Sequence, residues 1–308
     1  MAGWSERLTF VLNQNGCQAR IVKVDRLRAL REEIAQLRED GAFGAEFYEN
    51  DLAWMEYDTG KLPGAKSLIV VAIPQPAFRL TFHKLGMPRD VILPSTYAFH
   101  DLDKEVEALV EGALQDEAHT LTMIQPPLKL LAARSGLSRY GRNNITYVEG
   151  MGSFNRLVAW LTDLEAPEDT WQEAERMPEC DHCTQCLKAC PTGCIDAGCR
   201  VVHADACMTR INESGEPFPK WVDSAWLNAA VGCMSCQAVC PKNKPFLEPA
   251  DWEDSFDEAE TALLLGRAPL ESLSEKTRQA LKKLSMIGYY KTGALSRNLK
   301  ILIEREPA

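Results

Sequence analysis

The cysteines of one short stretch carry the chemistry of this chain. Cys180, Cys183, Cys186 and Cys190 form C-x2-C-x2-C-x3-C ahead of Pro191, and Cys233, Cys236 and Cys240 form C-x2-C-x3-C ahead of Pro241. Thiolates two residues apart can take three corners of one iron–sulfur cube, while the fourth, beyond a wider gap and ahead of proline, reaches a neighbouring cube. Two cubes need eight thiolates. The two motifs supply seven, and Cys207 in the spacer between them is the natural eighth. This spacing predicts one [4Fe–4S] cluster on Cys180, Cys183, Cys186 and Cys240. The second falls to Cys190, Cys207, Cys233 and Cys236, and electrons pass one at a time between them. Zinc also binds C-x2-C pairs, but it rarely needs a third cysteine two residues on and a fourth before proline, twice over. A disulfide framework is disfavoured because the chain is long and nothing marks it for export.

These ligands need a scaffold. Ser67 to Pro74 is nearly all apolar, which predicts a central strand buried on both faces. The phrase FNRLVAWL predicts a second buried strand, and QARIVKV a shorter one. Helices are expected over residues 4–15, over 101–118 and from Asp25, whose carboxylate is placed to cap the last of these. Residues 77–100 read as loop. Gly141, Gly150 and Gly152 lie around the strand NITYV and let backbone approach a ligand closely, or serve a plain strand–turn–strand connection. DWEDSFDEAE reads as a solvated acidic segment, and the last fifty or so residues as three short packing helices. Cys17 is expected to be a small buried residue, Cys194 and Cys199 receive no ligand role, and His83, His100 and His119 read as surface or packing histidines.

The chain has 308 residues, 45% of them apolar and 25% charged, an ordinary globular composition. Its net charge of −10 argues against nucleic acid as the main partner and suits a basic electron-donor protein. No apolar run approaches the roughly 20 residues of a membrane span, and the expected location is cytoplasmic.

Taken together, PGAKSLIVVAI, LAARSGLSRYGRNNI…GMGSF, CDHCTQCLKACPTGCI and GCMSCQAVCPKNK resemble the epoxyqueuosine reductase family, to which corrinoid-dependent reductive dehalogenases are related. The resemblance covers about residues 60–245 and identifies the chain as a divergent short member. It implies an α/β (mixed α+β) domain with a buried central sheet over 1–175, holding a cobalamin. A bacterial-ferredoxin-like double [4Fe–4S] domain follows over 176–250, and a helical tail over 251–308. By position, Tyr140, Gly141, Arg142, Asn143, Asn144, Gly152 and Ser153 match the family's corrinoid-binding segment, with Arg142 where lysine is usual. Two departures bear on the reaction. His100-Asp101-Leu102-Asp103 stands in place of the family's Asp–Tyr–His triplet. Thr122-Met123-Ile124-Gln125 lacks the carboxylate that donates a proton before Pro126. The expectation is an iron–sulfur oxidoreductase that takes electrons from a ferredoxin- or flavodoxin-type donor and passes them through cobalamin to a small molecule or modified nucleoside. The alternative is an electron-transfer or corrinoid-activating protein with no substrate of its own.

Overall fold

The structure is a computed structural model that describes residues 3–196, 198 and 201–305. Its strands are β1 (Gln18–Lys23), β2 (Ser67–Pro74), β3 (Phe78–Lys84), β4 (Met87–Leu93), β5 (Leu121–Met123), β6 (Arg139–Tyr140), β7 (Thr146–Tyr147), β8 (Asn155–Thr162) and β9 (Ala250–Asp251). Its α-helices are α1 (Trp4–Gln14), α2 (Arg26–Glu39), α3 (Ala45–Phe47), α4 (Leu102–Leu114), α5 (Leu128–Arg134), α6 (Gln185–Ala189), α7 (Met208–Glu213), α8 (Ser235–Ala238), α9 (Glu258–Leu265), α10 (Glu275–Lys283), α11 (Ile287–Thr292) and α12 (Ala294–Glu304). They form two units: Met1–Pro74, Asp103–Thr184 and Ile195–His203 make the first, and Gln75–Leu102, Gln185–Cys194 and Ala204–Ala308 the second.

In the first unit, β2 is buried from Ser67 to Ile73 and lies inside an antiparallel sheet of order β1-β2-β8-β5. Side chains alternate across a strand, and the register sets Leu68, Val70 and Ala72 opposite Leu161, Ala159 and Leu157. These join Leu27, Leu30 and Ile34 of α2 and Leu130 and Leu131 of α5 in one core. The other face, with Ile69 opposite Trp160 and Ile73 opposite Arg156, is tied to α4. Trp160 Nε1 donates to Glu107 at 3.2 Å, and Arg156 grips both oxygens of Asp103 at 3.1 and 2.9 Å. Helices on both faces explain the unbroken apolar run of β2. Asp25 does not cap α2. Its backbone is already helical (φ −57, ψ −17) and its side chain accepts no capping bond.

In the second unit, the stretch expected to be loop is a hairpin of β3 and β4, closed by Leu85 (φ 53) and Gly86 (φ 70). Two left-handed residues suit the right-handed strand twist, but leucine there is no turn signal and Pro88 speaks against a strand. The alternation was nonetheless present, for Leu80, Phe82, Val91 and Leu93 are all buried. β9 pairs in parallel with β3, and Phe256 stacks on Phe82 with centroids 4.7 Å apart. The acidic segment is therefore anchored by its aromatics. Among the described residues the tail holds four α-helices, because Ser285 (φ 57) breaks the run between α10 and α11.

Candidate iron–sulfur site

In the first unit, Cys180 ends the 3-10 turn Pro178–Cys180, and the Cys183 N–H donates to the Cys180 carbonyl at 3.3 Å. Arg142 holds this turn. Its Nε donates to the Cys183 carbonyl at 3.2 Å and its Nη2 to the Cys180 carbonyl.

The second unit carries the other motif cysteines. Cys186 on α6 and Cys236 on α8 sit on short helices that pack together, each helix followed by the cysteine–proline pair of its motif. Pro241 opens a 3-10 helix, where its missing N–H costs nothing. Cys207 immediately precedes α7. Asn228 Nδ2 lies 3.6 Å from Cys233 Sγ, and Asn228 Oδ1 accepts the Met234 N–H at 2.8 Å. Gly232 has φ 71 and its Cα faces the Tyr97 ring, so no side chain fits before Cys233.

The tail supports these loops. Asn298 of α12 is fully buried, and its Nδ2 donates to the Asn212 and Ala230 carbonyls at 3.0 and 2.9 Å. Arg297 Nη2 donates to the Asn212 carbonyl at 2.8 Å, and Arg305 Nη2 to the Ser224 carbonyl at 2.6 Å. The packing helices expected from the sequence thus reach the segments that carry Cys207 and Cys233.

The eight cysteines expected as ligands are all partly exposed, whereas Cys17 and Cys194 are buried. Cys199 lies outside the described residues. Cys194 has a place that no spacing signalled: its Sγ is 3.5 Å from Cys190 Sγ, and it also hydrogen-bonds Cys207. The Cys194 bond draws the Cys190 thiol down to about 4 and the Cys207 thiol down to about 6, with the Thr192 and Thr209 hydroxyls adding to the effect. The same two bonds push Cys194 up.

The glycine-rich segment forms a small hairpin of β6 and β7 in the first unit. A Cβ on Gly141 would lie 2.5 Å from both Asn143 Oδ1 and Tyr147 Cε2, so this glycine serves the hairpin's own packing. Asn143 is buried and donates to the Tyr147 hydroxyl at 3.0 Å. Asn144 has φ 58, and its carbonyl accepts from Lys129 at 3.3 Å. Burial raises the Tyr140 hydroxyl pKa. Gly152 (φ 57) offers its carbonyl to Asn155 at 3.0 Å, and Ser153 is buried beside it. A cavity of about 360 Å³ in this unit is lined by Tyr140, Gly141, Arg142 and Asn144 together with Glu33 and Arg176. Pockets for drug-sized ligands run to roughly 300–1,000 Å³, and a corrinoid is larger than such ligands. This cavity by itself is smaller than a corrinoid, and the segment's polar groups are largely engaged within the fold.

The stretch without a carboxylate acquires one from elsewhere. Glu56 Oε2 accepts the Gln125 N–H at 2.8 Å, and the Glu56 N–H donates to the Gln125 carbonyl at 3.0 Å. The same carboxylate pairs with Lys61 at 2.7 Å. His119 bridges the Glu117 carbonyl and the Glu111 carboxylate at 3.0 and 2.8 Å, a packing role.

Residues 179–243 match the family of the 4Fe-4S double cluster binding domain. Epoxyqueuosine reductase of Synechocystis sp. is 28% identical over 268 residues, covering 82% of this chain and 89% of that protein. The Bacillus cereus epoxyqueuosine reductase is 26% identical over 205 residues, or 59% of this chain and 50% of that one. The chain is similar to epoxyqueuosine reductases and carries a matched double [4Fe–4S] domain. It spans about half the length of the Bacillus cereus relative. An epoxyqueuosine reductase of Streptococcus thermophilus shares the fold at TM-score 0.67 and 20% identity, over 97% of this chain and 80% of that one. Another, solved with an epoxyqueuosine-modified tRNA stem loop, aligns at TM-score 0.69 and 20% identity, with the same coverage.

These matches bear out the mixed α/β fold with its helical end and the two [4Fe–4S] clusters. The relative solved with a tRNA stem loop goes against the expectation that nucleic acid is an unlikely partner. Net charge is a sum over the whole molecule, whereas RNA is held by local shape, stacking and small basic patches. No described helix is long and apolar enough to cross a membrane.

Proposed function

We propose that the chain is an iron–sulfur oxidoreductase that accepts single electrons from a low-potential ferredoxin- or flavodoxin-type donor and carries them over two [4Fe–4S] clusters. The observation that carries this reading is the cysteine set itself: eight partly exposed thiols at double-cluster spacing inside a matched double-cluster domain. We assign Cys180, Cys183, Cys186 and Cys240 to one cluster, and Cys190, Cys207, Cys233 and Cys236 to the other. Protein prepared and reconstituted without oxygen is expected to hold about eight iron and eight sulfide per chain. Cys207→Ser is expected to lose about half of that. A single cube, or stoichiometric zinc, would overturn the proposal.

A terminal corrinoid and its substrate form the finer reading, supported by the similarity of the segment from Tyr140 to Ser153 to the family's corrinoid region. Titration with cobalamin separates the two readings. A base-off spectral change at micromolar cobalamin makes the chain a corrinoid-dependent reductase, and its absence makes it an electron carrier for a partner. A modified nucleoside in RNA is the substrate class suggested by the tRNA-bound relative. Its test is retention of an epoxyqueuosine-containing stem loop against an unmodified one.

A further inference from the structure

Cys194 is 4% exposed, is not one of the eight expected ligands, and lies 3.5 Å from the sulfur of Cys190. It also hydrogen-bonds Cys207, thirteen residues further on. Cys190 and Cys207 belong to the same cluster in the assignment above, so one buried thiol touches two ligands of one cube. A cysteine outside the ligand set is a thiol with one S–H to give. It is then an S–H donor, not a ligand. The Thr192 hydroxyl, 3.5 Å from Cys190 Sγ, adds a second donor to that sulfur.

We propose that Cys194 is a positioning residue whose single S–H, given to the Cys190 sulfur 3.5 Å away, makes the cluster that Cys190 ligates easier to reduce than it would otherwise be. Hydrogen bonds to ligating sulfur are among the factors that set a cluster's potential. They stabilise the reduced state more, because it places more negative charge on the sulfurs. Burial strengthens the effect by excluding the water that would otherwise solvate that charge. The device acts on one cluster only, and so alters the step between the two cubes.

The proposal rests on the double-cluster reading, and the experiment separates the two. Wild-type protein, Cys194→Ala and Cys194→Ser are reconstituted without oxygen, counted for iron and titrated with an EPR readout. If wild-type protein lacks about eight iron, the double-cluster reading has failed and this one with it. If wild-type protein holds both cubes, Cys194→Ala is expected to keep the full iron content. One midpoint potential should move negative while the other stays. Cys194→Ser, which retains a donor, is expected to bring the moved potential back toward the wild-type value. Two unmoved potentials in Cys194→Ala, or two that move together, overturn the proposal. Loss of half the iron in Cys194→Ala also overturns it, since Cys194 would then be a ligand.

Discussion

Arg142 ties its segment to the first cysteine turn. The family resemblance implies a place near a corrinoid, and its guanidinium donates to the carbonyls of Cys180 and Cys183. Hydrogen bonds from a charged donor contribute about 1.5–3 kcal/mol each. Arg142→Ala is therefore expected to loosen the first cysteine turn and to shed about four of about eight iron on desalting, while Arg142→Lys, which keeps one donor, sheds less. Equal iron retention in all three proteins would remove Arg142 from the cluster's support. His119 is a second residue-scale case. Burial pulls its pKa down, but the Glu117 carbonyl and the Glu111 carboxylate outweigh burial and leave it above its ordinary value. A raised folded-state value means the stabilisation is complete below the unfolded pKa of about 6.5 and is lost as pH rises through the folded value. The stability gap between wild-type protein and His119→Gln is expected to be wider at about pH 5.5 than at about pH 8.5. A gap independent of pH would rule out the charged pair.

At the scale of elements, two local devices can be tested without touching the clusters. Asp257 caps α9. Its side chain accepts the Glu260 N–H at 2.8 Å, and the Glu260 carboxylate accepts the Asp257 N–H at 3.0 Å. Asp257→Ala is expected to cost about 1 kcal/mol, read as a lower urea midpoint. The β3–β4 turn offers the opposite sign. Leu85 is 83% exposed in a left-handed conformation that disfavours a leucine. Leu85→Asn restores the Asn-Gly pair that this turn type prefers and is expected to raise stability by about 0.5–1 kcal/mol. A fall in the midpoint would mean that the exposed leucine makes a contact worth more than the backbone strain.

For the molecule as a whole, the tail is part of the machinery that holds the second unit's cysteines. Asn298 sends its amide to the carbonyls of Asn212 and Ala230, which lie on the segments leading from Cys207 and into Cys233. Asn298→Leu takes the side-chain donor from the Ala230 carbonyl, while the Asn212 carbonyl keeps Arg297, a loss of about 1–3 kcal/mol. It is expected to lower iron content as well as the unfolding midpoint. Loss of stability with iron content unchanged would confine the tail to packing.

By itself the sequence determined what depends on short-range spacing. The C-x2-C runs named the cofactor because ligand geometry around one cube is set within a few residues of backbone. The apolar runs at Ile73 and Val158 named the central strands because burial on both faces leaves no alternation. Even the hairpin at 78–93 was legible in its alternating Leu80, Phe82, Val91 and Leu93, though its leucine-led turn hid it. Only the tertiary structure decided the long-range partners: Arg142 on the carbonyls of Cys180 and Cys183, Glu56 at Gln125, Asn298 under the cysteine loops, and Cys194 between Cys190 and Cys207. Such contacts join residues that no periodicity links, because packing of the whole chain, rather than local backbone geometry, brings them together.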